Sequence, residues 1–335
     1  MKNGNASRVG AALVLIAAVV FLCAGCGSSE TAAEEEKETK TLALLLSQED
    51  EFLMDLKENI ETEAAAQGYE LLYYTAEGDA GTQLRQAHEA LAAGAETLIV
   101  NLTNDEASEQ IAEVVGGANV VIVNRAPENP ILHEKLVFVG MDETQSGLLQ
   151  GKALAEYFWE RKQGADIRYL LFQGVPGLEN TDERSDGAIR SLTDVSFNPV
   201  AAAAYQVCDF YRDRARDAMK ELLAQEVEFD CVICNNDAMA LGVIEAMEEA
   251  GLDPGDVPIV GVDCTADGAA ALEAGKLYMT VNQDARMEAE VAVAAAINLD
   301  QGRAYDSGME QLLGSDYTAQ TQPYMIWIPA EAVMA

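Results

Sequence analysis

Short, unbroken apolar runs that stop at a polar residue alternate along this chain with longer stretches in which apolar positions recur every three or four residues. The first pattern is that of a strand buried on both faces, the second that of an amphipathic helix. The clearest instance is residues 229–252, FDCVICNNDAMALGVIEAMEEAGL. Val232 and Ile233 make the strand, and Asn235, Asn236 and Asp237 end it. Met239, Val243, Ala246, Met247 and Ala250 then follow helical spacing, with Glu245, Glu248 and Glu249 on the outer face. Asp237 is placed to cap this helix, and Gly251 with Pro254 closes it.

The same rhythm begins at Thr41. Strands are expected at 41–46, 70–75, 97–100 and 120–123, separated by a helix with the stripe Leu53, Leu56, Ile60, Ala64 and by helices at 80–93 and 105–118. Such repetition predicts a parallel, doubly wound sheet. Residues 124–132, with Pro127 and Pro130, break the pattern and read as a passage between domains. It resumes with strands at 136–139, 167–172, 200–207, 259–262 and 278–281 and a last one near 324–328. Helices are expected at 144–162, around Arg184, at 211–224, in a short stretch to Ala274, and at 284–299. At 335 residues the chain exceeds what one core usually holds, so two α/β domains follow.

Ahead of this pattern stands a different segment. Lys2 and Arg8 flank an apolar stretch, 9–22, too short for a comfortable membrane span, and Ala24, Gly25 and Cys26 end it. That is an export signal, and its ending resembles the bacterial lipoprotein signal, in which the cysteine is acylated and becomes the new N-terminus. Residues 27–40, rich in Ser, Ala and Glu, read as a flexible tether. Acidic residues outnumber basic ones 57 to 21, so nucleic acid is excluded as a partner. Cys231 and Cys234 lie about 10 Å apart on opposite faces of a strand, too far for a disulfide. His88 and His133 lack ligand spacing, and no zinc site is expected.

The first strand leads into SQEDEF, with no glycine that would let a dinucleotide approach, and the chain has neither a P-loop nor a G-x-S-x-G elbow. Strand ends instead offer Asp50, Asn101, Asn236, Asp263 and Gln283, with Phe52, Phe210 and Arg184 on adjoining loops or helix starts. Carboxylates and amides are partners for hydroxyl groups, and aromatic rings pack on the apolar faces of a sugar. Two carboxylates against one arginine disfavour an anion and suit a neutral polyol.

The segments LIVNLTNDEA, FVGMDETQSGLLQGKALAE, ICNNDAMALGVIEAM and VPIVGVDCTADGAAALEAGKLYMTVNQDA carry a specific resemblance. From Thr41 to Pro329 the chain resembles the type I periplasmic sugar-binding proteins of ABC transporters, and within them the D-galactose/D-glucose-binding group. What that implies is two doubly wound parallel-sheet lobes joined by a three-strand hinge: residues 41–124 plus 283–312, and 125–282 plus 313–335. It implies no enzymatic activity, no cofactor, a sugar in the interlobe cleft, and a monomer that is lipid-anchored to the membrane through Cys26 and meets an ABC permease. An exported sensor presenting a sugar or sugar-like signal to a membrane receptor is the alternative. The family's sugar-binding positions fall on Asp50, Phe52, Asn101, Arg184, Asn236 and Asp263. Leu178 and Asn180 stand where the galactose/glucose group has a histidine and an aspartate, Phe210 stands for a tryptophan, and Gln283 for an asparagine. The family's calcium loop should fall where Gln163, Gly164, Ala165 and Asp166 leave one carboxylate, with Asp230 at the remote ligand's place, so no metal is expected.

Overall fold

A computed structural model describes residues 40–104, 107–127, 132–161, 165–196, 198–314, 317 and 322–335. The expected signal and its tether lie outside the described residues, apart from Lys40. The elements follow the apolar rhythm: β1 (Lys40–Leu46), α1 (Glu51–Ala66), β2 (Tyr69–Thr75), α2 (Ala80–Ala92), β3 (Thr97–Val100), α3 (Ala107–Val115), β4 (Asn119–Val123) and β5 (Leu136–Met141). Then come α4 (Glu143–Arg161), β6 (Ile167–Gln173), α5 (Glu179–Ser196), β7 (Val200–Val207), α6 (Arg212–Ala224), β8 (Cys231–Cys234), α7 (Asp237–Glu249), β9 (Ile259–Asp263), α8 (Ala266–Glu273) and β10 (Met279–Asn282). The chain ends with α9 (Ala285–Asp300), α10 (Met309–Leu313), β11 (Met325–Ile328) and β12 (Glu331–Met334).

These strands build two sheets, in the orders β11-β5-β4-β3-β1-β2 and β12-β10-β9-β8-β6-β7. Every pairing is parallel except β10 with β12. Alternation within the apolar runs explains why both faces are covered. In β1, Leu42, Leu44 and Leu46 join the core beneath α1 and α9, while Ala43 and Leu45 join the core on the opposite face. In β8, Val232 and Cys234 face one core and Cys231 and Ile233 the other, and all four described cysteines are free.

The chain passes between the sheets three times: at Asp142 between β5 and α4, at Gln283–Asp284 between β10 and α9, and at Pro329–Ala330 between β11 and β12. This corrects the expected lobe limits. The proline-bearing stretch after Asn124 is a wide connection inside the first lobe, because β5 pairs with β4 from Val120↔Leu136 to Val123↔Val139. Residues 136–141 and 325–328 therefore stand in the first sheet. A crossing of one or two residues carries no compositional signature, whereas a long loop does.

Glycine sets how closely α4 and α5 pack in the second lobe. A Cβ on Gly147 would overlap the carbonyl oxygen of Arg184, one on Gly151 that of Ala188, and one on Gly187 would lie 3.0 Å from that of Thr144. With hydrogen there instead, α4 lies backbone to backbone on α5. Gly151→Ala should therefore destabilise the fold by about 1–3 kcal/mol in chemical denaturation. A stability gain, the sign that helix propensity alone gives, would show that the two helices do not meet this closely.

Candidate functional site

In both lobes the parallel strands deliver their carboxyl ends to the cleft between the sheets, and the polar residues that stop the apolar runs collect there. Asp50, Phe52, Leu53, Asn124, Arg125, Asn180, Arg184, Phe210, Asn236, Asp263 and Gln283 line a space of about 250 Å³. Several also start helices. Asp50 caps α1, its Oδ1 accepting from the Leu53 N–H at 2.9 Å while Oδ2 accepts from Gln48 Nε2. Asn236 caps α7 with Oδ1, and its Nδ2 donates to the Phe210 carbonyl. Asn180, in the first turn of α5, is buried, and among the described residues its Oδ1 accepts no hydrogen bond.

Arg184 is the centre of the site and is 2% exposed. Its Nε and Nη2 each lie 2.6 Å from a carboxylate oxygen of the fully buried Glu143. Nη2 also donates to Gln283 Oε1 at 2.9 Å and Nη1 to the Asn235 carbonyl at 2.8 Å. That leaves one N–H of Nη1, near Asp263 Oδ1 at 3.8 Å. Burial alone would lower the guanidinium's pKa, but the adjacent Glu143 more than offsets it and holds the group above its usual value.

Burial pushes the Asp263 carboxyl well above the usual range, with Arg184 pulling it back. Two further acids sit beside the cleft. Asp237 is pushed up to about 7 by burial, tempered by the Thr280 hydroxyl on Oδ1 at 2.7 Å and the Thr265 N–H on Oδ2 at 3.1 Å. Gly261 and Gly268 leave the room its carboxyl occupies. Glu288, on the first turn of α9, is pushed up to about 8 by burial and by the charge of Glu143, against a hydrogen bond from Gln283.

The cleft brings together eight of the nine sugar-binding positions named from the sequence and leaves out Asn101. Asn101 is fully buried behind the site, its Oδ1 accepting from the Ser47 hydroxyl at 2.6 Å and its Nδ2 donating to Asn124 Oδ1 at 3.2 Å. Ser47 in turn accepts from Arg125 Nη1 at 2.7 Å, so Asn101 works one layer further back. The end of β4 supplies what sequence reasoning missed, Asn124 and Arg125, the latter with its guanidinium 5.8 Å from the centroid of the Phe210 ring across the cleft. The available signal was their place immediately after an apolar run, the reasoning that had found Asn101 and Asn236. One further expectation changes. Asn236 and not Asp237 caps α7, since the Asp237 oxygens are taken by Thr280 and Thr265. Arg184 stands in the cleft as expected, paired with buried Glu143. Asp230 accepts from Arg168.

Two sheets, three crossings and a polar cleft fed from both lobes define a two-lobed solute-binding protein. The chain belongs to the periplasmic binding protein domain family, whose profile matches residues 43–304. It is a binding protein of the type I arrangement and not an enzyme. A putative rhizopine-binding protein of Rhizobium meliloti is 30% identical over 280 residues, 82% of this chain and 88% of that one. The ribose import binding protein of Escherichia coli K12 is 27% identical over 256 residues, covering 76% and 83%. Among solved structures, an ABC transporter solute-binding protein of Bacillus halodurans C-125 with bound myo-inositol is similar with a TM-score of 0.74 at 25% identity, over 88% of this chain and 94% of that one. These relatives shift the likeness within the family away from the galactose/glucose group, whose D-galactose/methyl-galactoside-binding member from Haemophilus influenzae matches more weakly.

The raised carboxyls fix a pH dependence. Between its unfolded value near 4 and its folded value of about 7, Asp237 holds its proton more firmly in the folded state. Its contribution to stability is fully present below about pH 4 and is lost as pH rises to about 7. Glu288 acts with the same sign up to about pH 8. Urea denaturation across this range should show stability falling with pH. Asp237→Asn should make the fall below about pH 7 less steep and leave the parts due to Glu288 and Asp263; an unchanged slope in the variant would refute the assignment.

Proposed function

We propose that this chain is an extracytoplasmic lipoprotein that captures a neutral monosaccharide or related polyol between its lobes and delivers it to an ABC importer. The observation that carries the reading is the 3.8 Å gap between Arg184 Nη1 and Asp263 Oδ1. A hydroxyl placed there accepts from the arginine and donates to the carboxylate, and no group that only donates or only accepts satisfies both. Asn180 Oδ1 offers a further acceptor, and Phe52 and Phe210 supply apolar surface of the kind that packs on a sugar ring. The relative named for ribose and the myo-inositol-bound structure support five- and six-carbon polyols as the class to test first.

In this reading the ligand draws the lobes together. Micromolar affinity needs about 8 kcal/mol, while a hydrogen bond to a charged group nets about 1.5–3 kcal/mol. One lobe alone leaves half of the hydroxyls in water. Both lobes acting together exclude that water and give the permease a closed outer surface to recognise. A thermal-shift screen of D-ribose, D-allose, D-galactose, xylitol and myo-inositol identifies the ligand. Asp263→Ala should then weaken it by about 2–4 kcal/mol in calorimetry, since Arg184 and the bridging hydroxyl both lose their partner. Solution scattering should show the wild type becoming more compact with ligand. Undiminished affinity in the variant would place the site elsewhere.

The anchoring claim rests on Cys26 after Ala24 and Gly25. Metabolic labelling with a fatty acid should mark the wild type and spare Cys26→Ser. Equal labelling of both would remove the lipid anchor from the proposal.

A further inference from the structure

Arginine in a small-molecule cleft ordinarily offers a planar fork that grips carboxylate or phosphate by two parallel bonds. Here that fork is spent inside the protein. Nε and Nη2, the two-bond edge of Arg184, both go to Glu143, Nη2 is shared with Gln283, and Nη1 gives one proton to Asn235. Glu143 is fully buried and does not line the cleft, so it touches no ligand itself, and its hydrogen bonds reach one through Arg184. Its position follows from the fold: it opens α4 one turn before Gly147, where α4 lies on the backbone of Arg184 itself.

We infer that Glu143 sets the charge class of the ligand, cancelling Arg184 and leaving it a single N–H, so that the cleft takes uncharged polyols and excludes their acidic counterparts. This rests on the polyol reading above. The remaining Nη1 proton lies beside Asp263, where a hydroxyl satisfies both groups. A ligand carboxylate or phosphate can only accept there, and would stand against the Asp263 oxygen while the arginine charge is already balanced by Glu143. Glu143 is thus a positioning residue that decides selectivity, and charge selectivity is a readout that loss of packing alone does not move.

The test is calorimetry at neutral pH on matched pairs: D-galactose with D-galacturonate, D-ribose with D-ribonate, xylitol with D-xylonate, and myo-inositol with myo-inositol monophosphate. Wild type should bind a neutral member at least about 100-fold more tightly than its acid. Glu143→Gln should narrow that ratio by about tenfold or more, and Glu143→Asp, which keeps the charge, should preserve it even if both affinities fall. A wild type that binds the acid within about tenfold of the polyol overturns the inference, as does a folded Glu143→Gln protein with the wild-type ratio. If Glu143→Gln does not fold, Glu143→Asp still decides, because loss of the ratio with the charge retained contradicts the assignment. Binding of no neutral member would remove the polyol reading itself, an outcome distinct from a neutral ligand bound without discrimination.

Discussion

The structure depends on one buried ion pair, Arg184 with Glu143, at the meeting point of the two lobes. Taking both charges out of water costs several kcal/mol for each, a cost repaid only with near-ideal geometry and with the remaining donors satisfied. Both conditions hold: two bonds of 2.6 Å join the pair, and Asn235 and Gln283 take most of what remains. The pair also fixes where things must be. Glu143 follows the first crossing by one residue, Gln283 lies in the second, and Arg184 holds both from α5. The glycines that let α4 settle on α5 are therefore as much part of the cleft as the residues lining it.

Around this pair the site is built from groups already committed to the fold. Asp50 and Asn236 cap helices, so their orientation is set before any ligand arrives. Asn124, Phe210 and Asp263 have φ values of 66°, 70° and 114°, backbone that residues with side chains seldom adopt. Such positions cost about 1–3 kcal/mol each and persist only where their surroundings hold them. Phe210 shows how: its ring fills the space a Cβ on Gly174 would take, and its carbonyl accepts from Asn236.

Most of the architecture was legible because it is written in local periodicity. An apolar run of four to seven residues bounded by polar ones specifies a buried strand, and the residue ending the run lies at the cleft by topology alone. That logic found Asp50, Asn236 and Asp263, and placed Asn101 one layer too far forward, since its depth depends on Ser47 and Arg125, distant in sequence. The partner of Arg184 was out of reach for the same reason: Glu143 lies 41 residues away. Its approach depends on two glycines, whose spacing is visible but whose facing helix is not. The lobe limits were misread because a long proline-bearing loop stands out in composition and the crossing at Asp142 does not.

Short crossings have a mechanical consequence. With one or two residues at each passage, the lobes have little slack to slide apart, and the freedom left is rotation about the crossings. Gln283 lies in one of them and also lines the cleft, donating to Glu288 in the first lobe and accepting from Arg184 in the second. Any change in the angle between the lobes must alter the length or direction of those bonds. Any ligand that displaces the Gln283 amide alters them as well. Binding and interlobe geometry thus share the same hydrogen bonds, and coupling between them needs no longer pathway than one side chain.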